Sequence, residues 1–177
     1  TCHNVLLHPP GGVVPGDALR IDVTLDAGCH ALVTTPGATR FYRSDGRAAS
    51  QQATLRLEPG SRLEWLPLET IAYRGCEAEN RVAMALAPGA EVIGWDVLAL
   101  GLPAADQPFV AGRFRQRIEL PGAWLERATI DAEDTRLLQS PLGWAGRSVS
   151  ATMWFAAGAA LDGARRTALL DAARACI

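Results

Sequence analysis

Apolar and polar residues alternate along most of this chain. Leu19, Ile21, Val23 and Leu25 alternate with Arg20, Asp22 and Thr24, the period-2 pattern of a half-buried strand. Ala53, Leu55 and Leu57 repeat it against Thr54, Arg56 and Glu58. Val82, Met84 and Leu86 form another apolar face, as do Phe114, Ile118 and Leu120, with Arg113, Arg115, Arg117 and Glu119 opposite the latter. The stretch Ser148 to Phe155 alternates through Val149, Ala151, Met153 and Phe155. Pro-Gly pairs punctuate the pattern at Pro15-Gly16, Pro59-Gly60, Pro88-Gly89 and Pro121-Gly122. Each supplies a tight turn, and an apolar residue three places after the Gly begins or joins a strand.

About ten such strand candidates, with no helical period before residue 159, predict an all-β sandwich, barrel or coiled β architecture. The end differs. Asp162 is placed to cap a helix from Gly163 to Cys176, with Leu169, Ala172, Ala173 and Cys176 on one face. The expectation is one domain over 1–177, with a β-rich body at 1–157 and a helical end at 158–177. The chain starts at Thr1 rather than Met, and the helical pattern runs to the last residue. It reads as a chain cut at both ends.

Composition narrows the function. The 177 residues carry a net charge of -2, which gives no reason to expect nucleic acid as a partner. The longest apolar run, Ala151 to Leu161, is too short to span a membrane. Four scattered cysteines without a CxxC point to a reducing compartment, hence a cytoplasmic protein. Every basic residue is Arg, whose planar fork suits carboxylates.

Candidate chemistry is sparse. Cys2-His3, His8 and Cys29-His30 gather possible metal ligands near one end. Neighbours on a strand face opposite ways, so Cys29 and His30 cannot close one tetrahedral site together. No G-x-S-x-G, H-E-x-x-H or phosphate-loop motif is present. Cys76 sits in a turn, Arg74-Gly75-Cys76-Glu77, with no His nearby in sequence. Trp124, Trp144 and Trp154 read as packing residues. Glu64 and Asp96 stand on strands that are otherwise apolar on both faces. Such an acid is either bonded to an Arg or to backbone, or lines a wet cavity open to cations. Arg113, Arg115 and Arg117 repeat at intervals of about 6–7 Å along one strand face. They form either a solvated face or a docking surface for an acidic partner. Two loops are dense: Thr34 to Ser44, with hydroxyls, two Arg and two aromatics, and His8 to Asp17, a Pro/Gly-rich segment that delivers Asp17 to a strand.

Five of these segments, in order, resemble the urease accessory protein D family (UreD). They are His8-Pro9-Pro10-Gly11-Gly12 ending at Gly16-Asp17; Thr35-Pro36-Gly37-Ala38-Thr39 with Phe41-Tyr42-Arg43-Ser44; Leu63-Glu64-Trp65-Leu66-Pro67 with Glu69-Thr70-Ile71; Gly94-Trp95-Asp96; and Leu100-Gly101. The likeness is strongest from Thr1 to about Gly112. It departs at Pro15, where the family usually has a second Gly, and at Cys76, where no fixed cysteine is expected. Family members are longer at both ends.

The resemblance implies a mainly β, elongated, β-helix-like scaffold with a C-terminal α-helix and no enzymatic activity. It implies binding to apo-urease and to the accessory F protein, and through F to the GTPase accessory G protein. Nickel would cross a water-filled passage transiently, with no metal tightly bound. Asp17 and Asp96 are then the first candidates for passage or coupling acids, Glu64 and Glu69 the next, and His8 a transient ligand. The Arg113, Arg115 and Arg117 face is the candidate partner surface. The competing readings are a metal- or cysteine-dependent enzyme and a carbohydrate- or protein-binding β module.

Overall fold

The computed structural model describes residues 1–176, and strands cover the alternating segments, with further strands outside them. β1 (Cys2–Val5), β2 (Ala18–Leu25), β3 (His30–Thr34), β4 (Thr39–Phe41), β5 (Ala49–Leu57) and β6 (Arg62–Leu66) come first. β7 (Thr70–Ala72), β8 (Cys76–Leu86), β9 (Glu91–Leu100), β10 (Gly112–Leu120), β11 (Trp124–Asp131) and β12 (Val149–Ala157) follow. Helical segments are a 3₁₀ turn at Pro103–Ala105, α1 (Thr135–Gln139) and α2 (Gly163–Arg174).

The strands form two sheets. In the first, β1, β3, β6 and β9 run parallel, and β12 lies antiparallel on the far side of β9. In the second, β2, β5, β8 and β10 run parallel, and β11 turns back against β10. The chain passes from one sheet to the other and back, so successive strands stack as coils. The fold is mainly β, solenoid-like, with a C-terminal helix.

Corners make the coiling possible. Gly60 and Gly89 take φ of +71° and +77°, a left-handed conformation that costs glycine little. The corners stack by hydrogen bonds from Gly28 N to Pro59 O (3.0 Å), Arg62 N to Cys29 O (2.8 Å) and Glu91 N to Ser61 O (2.9 Å). Two findings refine the Pro-Gly rhythm. The Asp26-Ala27-Gly28 corner joins the same stack without a proline. Pro121-Gly122 instead closes an antiparallel hairpin, with Leu120 paired to Trp124.

The first sheet is broken on purpose-built lines. β6 and β7 lie end to end along one edge of β9, pairing with Glu91–Gly94 and Leu98–Leu100, and Pro67-Leu68-Glu69 separates them. β3 and β4 are separated in the same way, by Thr35 to Ala38. Proline cannot donate to the ladder, so the pairing lapses at Pro36 and Pro67. Side chains take over: Thr34 Oγ1 donates to Leu66 O (2.7 Å), Leu68 N to Thr35 Oγ1 (2.9 Å) and Trp95 Nε1 to Pro67 O (2.7 Å). Thr34 to Ser44, read as one loop in the sequence, therefore contains a strand, β4.

α1 escaped the sequence because five residues are too short to show a period. Asp134 caps it, its Oδ1 accepting from Leu137 N (2.9 Å). α2 begins at its expected cap, Asp162 Oδ1 accepting from Arg165 N (2.9 Å), and ends at Arg174 rather than Cys176. Its side chains are exposed all round, so the face shared by Leu169, Ala172 and Ala173 is not a buried one. Arg165 ties α2 to the body through Glu91 and lies over the Phe155 ring at 5.9 Å. The last position of the expected helical end, Ile177, lies outside the described residues.

Between the sheets lie two hydrophobic clusters. One, toward the stacked corners, includes Leu55, Leu63, Met84, Val92 and Ile118. The other includes Val13, Phe41, Leu98, Phe114 and Ile130. Phe41 and Phe114 meet edge to face at 5.5 Å and are fully buried. Burying each such side chain contributes about 1.5–3 kcal/mol.

Candidate functional site

A row of polar side chains separates the two clusters. It arises from single interruptions of otherwise apolar inner faces. On β8 the inward positions run Cys76, Ala78, Asn80, Val82, Met84; on β9, Val92, Gly94, Asp96, Leu98, Leu100; on β10, Phe114, Gln116, Ile118. Strand register brings the interruptions together: Gln51 on β5 pairs with Asn80, and Asn80 with Gln116.

Asp96 is the centre of the row and 7% exposed. Its Oδ2 accepts from Asn80 Nδ2 (2.9 Å) and its Oδ1 from Gln116 Nε2 (2.7 Å). Gln51 Nε2 donates to Asn80 Oδ1 at 3.3 Å. On the far side, Thr152 of β12, the neighbour of Asp96 in register, donates to Glu126 Oε1 of β11 at 2.9 Å. Burial pushes the Asp96 carboxyl up to about 6, and the Glu126 charge adds to that. The two amide donors pull the other way without cancelling it.

Space adjoins this row. A small cavity of about 30 Å³ is lined by Thr35, Thr39, Gln51, Thr70, Asn80 and Asp96 among others, in the gap left by the two proline breaks. That is room for about two water molecules. It shares Leu6, Ile21, Thr35, Thr39 and Gln51 with a surface cavity of about 290 Å³, which His8, Gly11 and Gly12 also line. The two cavities therefore adjoin, one opening at the surface near His8 and the other reaching Asp96.

Of the acids singled out from sequence, only Asp96 lines either of these two cavities. Asp17 is exposed and accepts from Val14 N (3.2 Å), closing its own turn. Pro15 is compatible with that turn, which Gly16 completes at φ +89°. Gly12 is required beside it, because a Cβ there would come 2.9 Å from Arg40 O. Glu64 faces outward on the first sheet and meets His30 Nε2 at 2.9 Å. Glu69 faces outward too, at the edge of an otherwise apolar surface groove of about 560 Å³ with Ile71, Val97 and Val149. Glu64 was read on a strand buried on two faces. The outer face of the first sheet is instead apolar but exposed, as Met153 (66%) and Val149 (55%) show. Gln51, Asn80, Gln116, Glu126 and Thr152 were missed. The signal was present for Gln116, which breaks the Phe114, Ile118, Leu120 face in parity.

The arginine row lies on the outer face of the second sheet. Arg113 pairs with Asp131 at 2.7 Å and Arg117 with Glu119 at 2.6 Å, while Arg115 is flanked in register by Glu79 and Thr129. Cys76 is fully buried, and burial, helped by Glu77, pushes its thiol up to about 12. Among the described residues no three His, Cys, Asp or Glu side chains gather as a metal cage. No described helix is long and apolar enough to cross a membrane.

The family model described as UreD urease accessory protein matches residues 1–177. The chain belongs to the UreD family. It is 63% identical to the urease accessory protein UreD of Albidiferax ferrireducens over 98% of this chain and 63% of the relative. It is 61% identical to that of Leptothrix cholodnii over 99% of this chain and 63% of the relative. The protein of Methylibium petroleiphilum is 57% identical over 98% of this chain. The chain therefore spans less than two thirds of the length of these relatives. Family membership supports a role in urease maturation.

Proposed function

We propose that this chain is the nickel-handling part of a urease maturation scaffold. It binds apo-urease and the accessory F protein, reaches the accessory G GTPase through F, and guides nickel through its interior. It acts in the cytoplasm, holds no metal permanently and catalyses no reaction. The observation that carries this reading is the pair of adjoining cavities, one at the surface by His8 and one at the buried carboxylate of Asp96, with the Gln51–Asn80–Asp96 hydrogen bonds beside them. A hard carboxylate among neutral amides suits a divalent cation that must leave again, whereas a Cys/His cage would keep it.

The buried thiol of Cys76 weighs against a nucleophile at that position. A cysteine nucleophile works as the thiolate, and the Cys76 thiol is held protonated in the apolar interior. For the partner surface, the ion pairs of Arg113 and Arg117 leave Arg115 as the arginine of that row best suited to an acidic partner.

The test uses the full-length protein with its accessory partners and nickel supplied. Asp96→Ala is expected to lower urease activation by about tenfold or more while the accessory complex still assembles. Full activation with an intact complex would remove Asp96 from the route and the interior passage with it.

A further inference from the structure

Asp96 has two oxygens, and each is taken by the amide of a neighbouring strand, Asn80 at 2.9 Å and Gln116 at 2.7 Å. Asn80 stands between Ala78 and Val82 and Gln116 between Phe114 and Ile118, and hydrocarbon at either place would leave an oxygen of the buried carboxylate without a donor. An amide has one property that hydrocarbon and a charged group lack: it offers donors on one side and an acceptor on the other. With its NH₂ toward Asp96 it holds the carboxylate in place. Turned about its terminal torsion, which is broad and roughly two-fold, it presents a neutral oxygen to the same point.

We infer that Asn80 and Gln116 are the residues that make the passage release its cation: their amides occupy the Asp96 oxygens when no ion is there and turn to offer neutral oxygens as one crosses. The inference rests on the passage reading above. One carboxylate with neutral oxygens makes a hard but weakly charged donor set, and affinity for a divalent cation rises with the number of charged ligands. Glu126 would add a second charge, but Thr152 holds it by a hydrogen bond at 2.9 Å. Gln51 couples the motion outward. Its NH₂ binds the oxygen that Asn80 must turn, and Gln51 lines both cavities. An ion arriving from the surface cavity meets Gln51 first, then the amide that guards Asp96.

Adding charge beside Asp96 should convert a passage into a trap. In the full-length protein with its accessory partners, Gln116→Glu and Asn80→Asp each place a second carboxylate there. Two quantities are measured: nickel remaining on the purified protein after dialysis and desalting, and urease activation. Each variant is expected to keep nickel that the parent protein releases, and to activate urease about tenfold less or worse. The double variant Asp96→Asn with Gln116→Glu restores the original charge, so it should release nickel and regain activation. Single variants that release nickel and activate like the parent would overturn the inference, as would a folded double variant that stays inactive. If Gln116→Glu does not fold, Asn80→Asp and the double variant decide in the same way. The passage reading fails separately, by full activation with Asp96→Ala. Loss with Asp96→Ala beside parent-like behaviour of Gln116→Glu would remove only the role of the amides.

Discussion

Phe114 and Gln116 are two residues apart on β10 and face the same interior, one in a hydrocarbon layer and the other in a polar one. The layer around Phe114 has every feature of a core: full burial, an edge-to-face partner in Phe41 and apolar neighbours from both sheets. The layer around Asp96 is enclosed as well, yet it holds a carboxylate against its own preference for water, beside a small cavity. Hydrocarbon layers hold the coils together. A polar layer of this kind costs stability, and the chain carries it on β5, β8, β9 and β10 at one level. The coincidence across four strands gives the buried acid a donor for each of its oxygens.

The contrast can be broken most strongly from the apolar side. Phe114→Ala should cost about 3–5 kcal/mol, read as a lower urea midpoint, because the truncation leaves a cavity against Phe41. A loss under about 1 kcal/mol would mean that this layer is no tighter than the polar one.

The polar side predicts the opposite sign. Asp96 has a folded pKa of about 6, above its ordinary value of 3.8. Between these values the folded chain binds more protons than the unfolded one, so stability falls as pH rises through that window. The cost, roughly 3 kcal/mol at most, is then fully present at neutral pH. Asp96→Asn should remove the slope. It should be more stable than the parent at pH 7 and converge with it near pH 4, in denaturation curves taken across the range. A parent protein whose stability is flat between pH 4 and 7 would contradict the assignment.

The smallest effect belongs to the outer surface. Arg117→Ala removes a half-exposed ion pair with Glu119 and should change stability by no more than about 1 kcal/mol by the same measurement. A larger loss would show that the outer face of the second sheet contributes to the core's cohesion.

Much of the fold was legible because alternation is a local signal. β2, β5, β8, β10 and β12 were all visible as period-2 runs, and Asp162 marked the start of α2. What the sequence hid was pairing. Nothing local distinguishes the Pro-Gly of a stacked corner from that of the β10–β11 hairpin. Nothing local says that Pro36 and Pro67 break neighbouring strands at matching levels. The site was hidden for the same reason. Asp96 stood out as an acid among apolar residues, but Asn80 and Gln51 gain meaning only when register aligns them. Glu64 misled because an apolar outer face looks, in sequence, like a buried one. Asp17 stands apart from the polar row, exposed and bonded within its own turn, which no local pattern announces.

Cys76 has a practical consequence beyond its unfitness as a nucleophile. Its thiol lies on the inner face of β8 and is kept protonated there by burial. A thiol reagent can modify it only while that part of β8 is open to solvent. Exposed Cys2, Cys29 and Cys176 should react at once, leaving a single slow phase that belongs to Cys76. The rate of that phase, in native buffer, is a clock for how often the apolar floor beneath Asp96 opens.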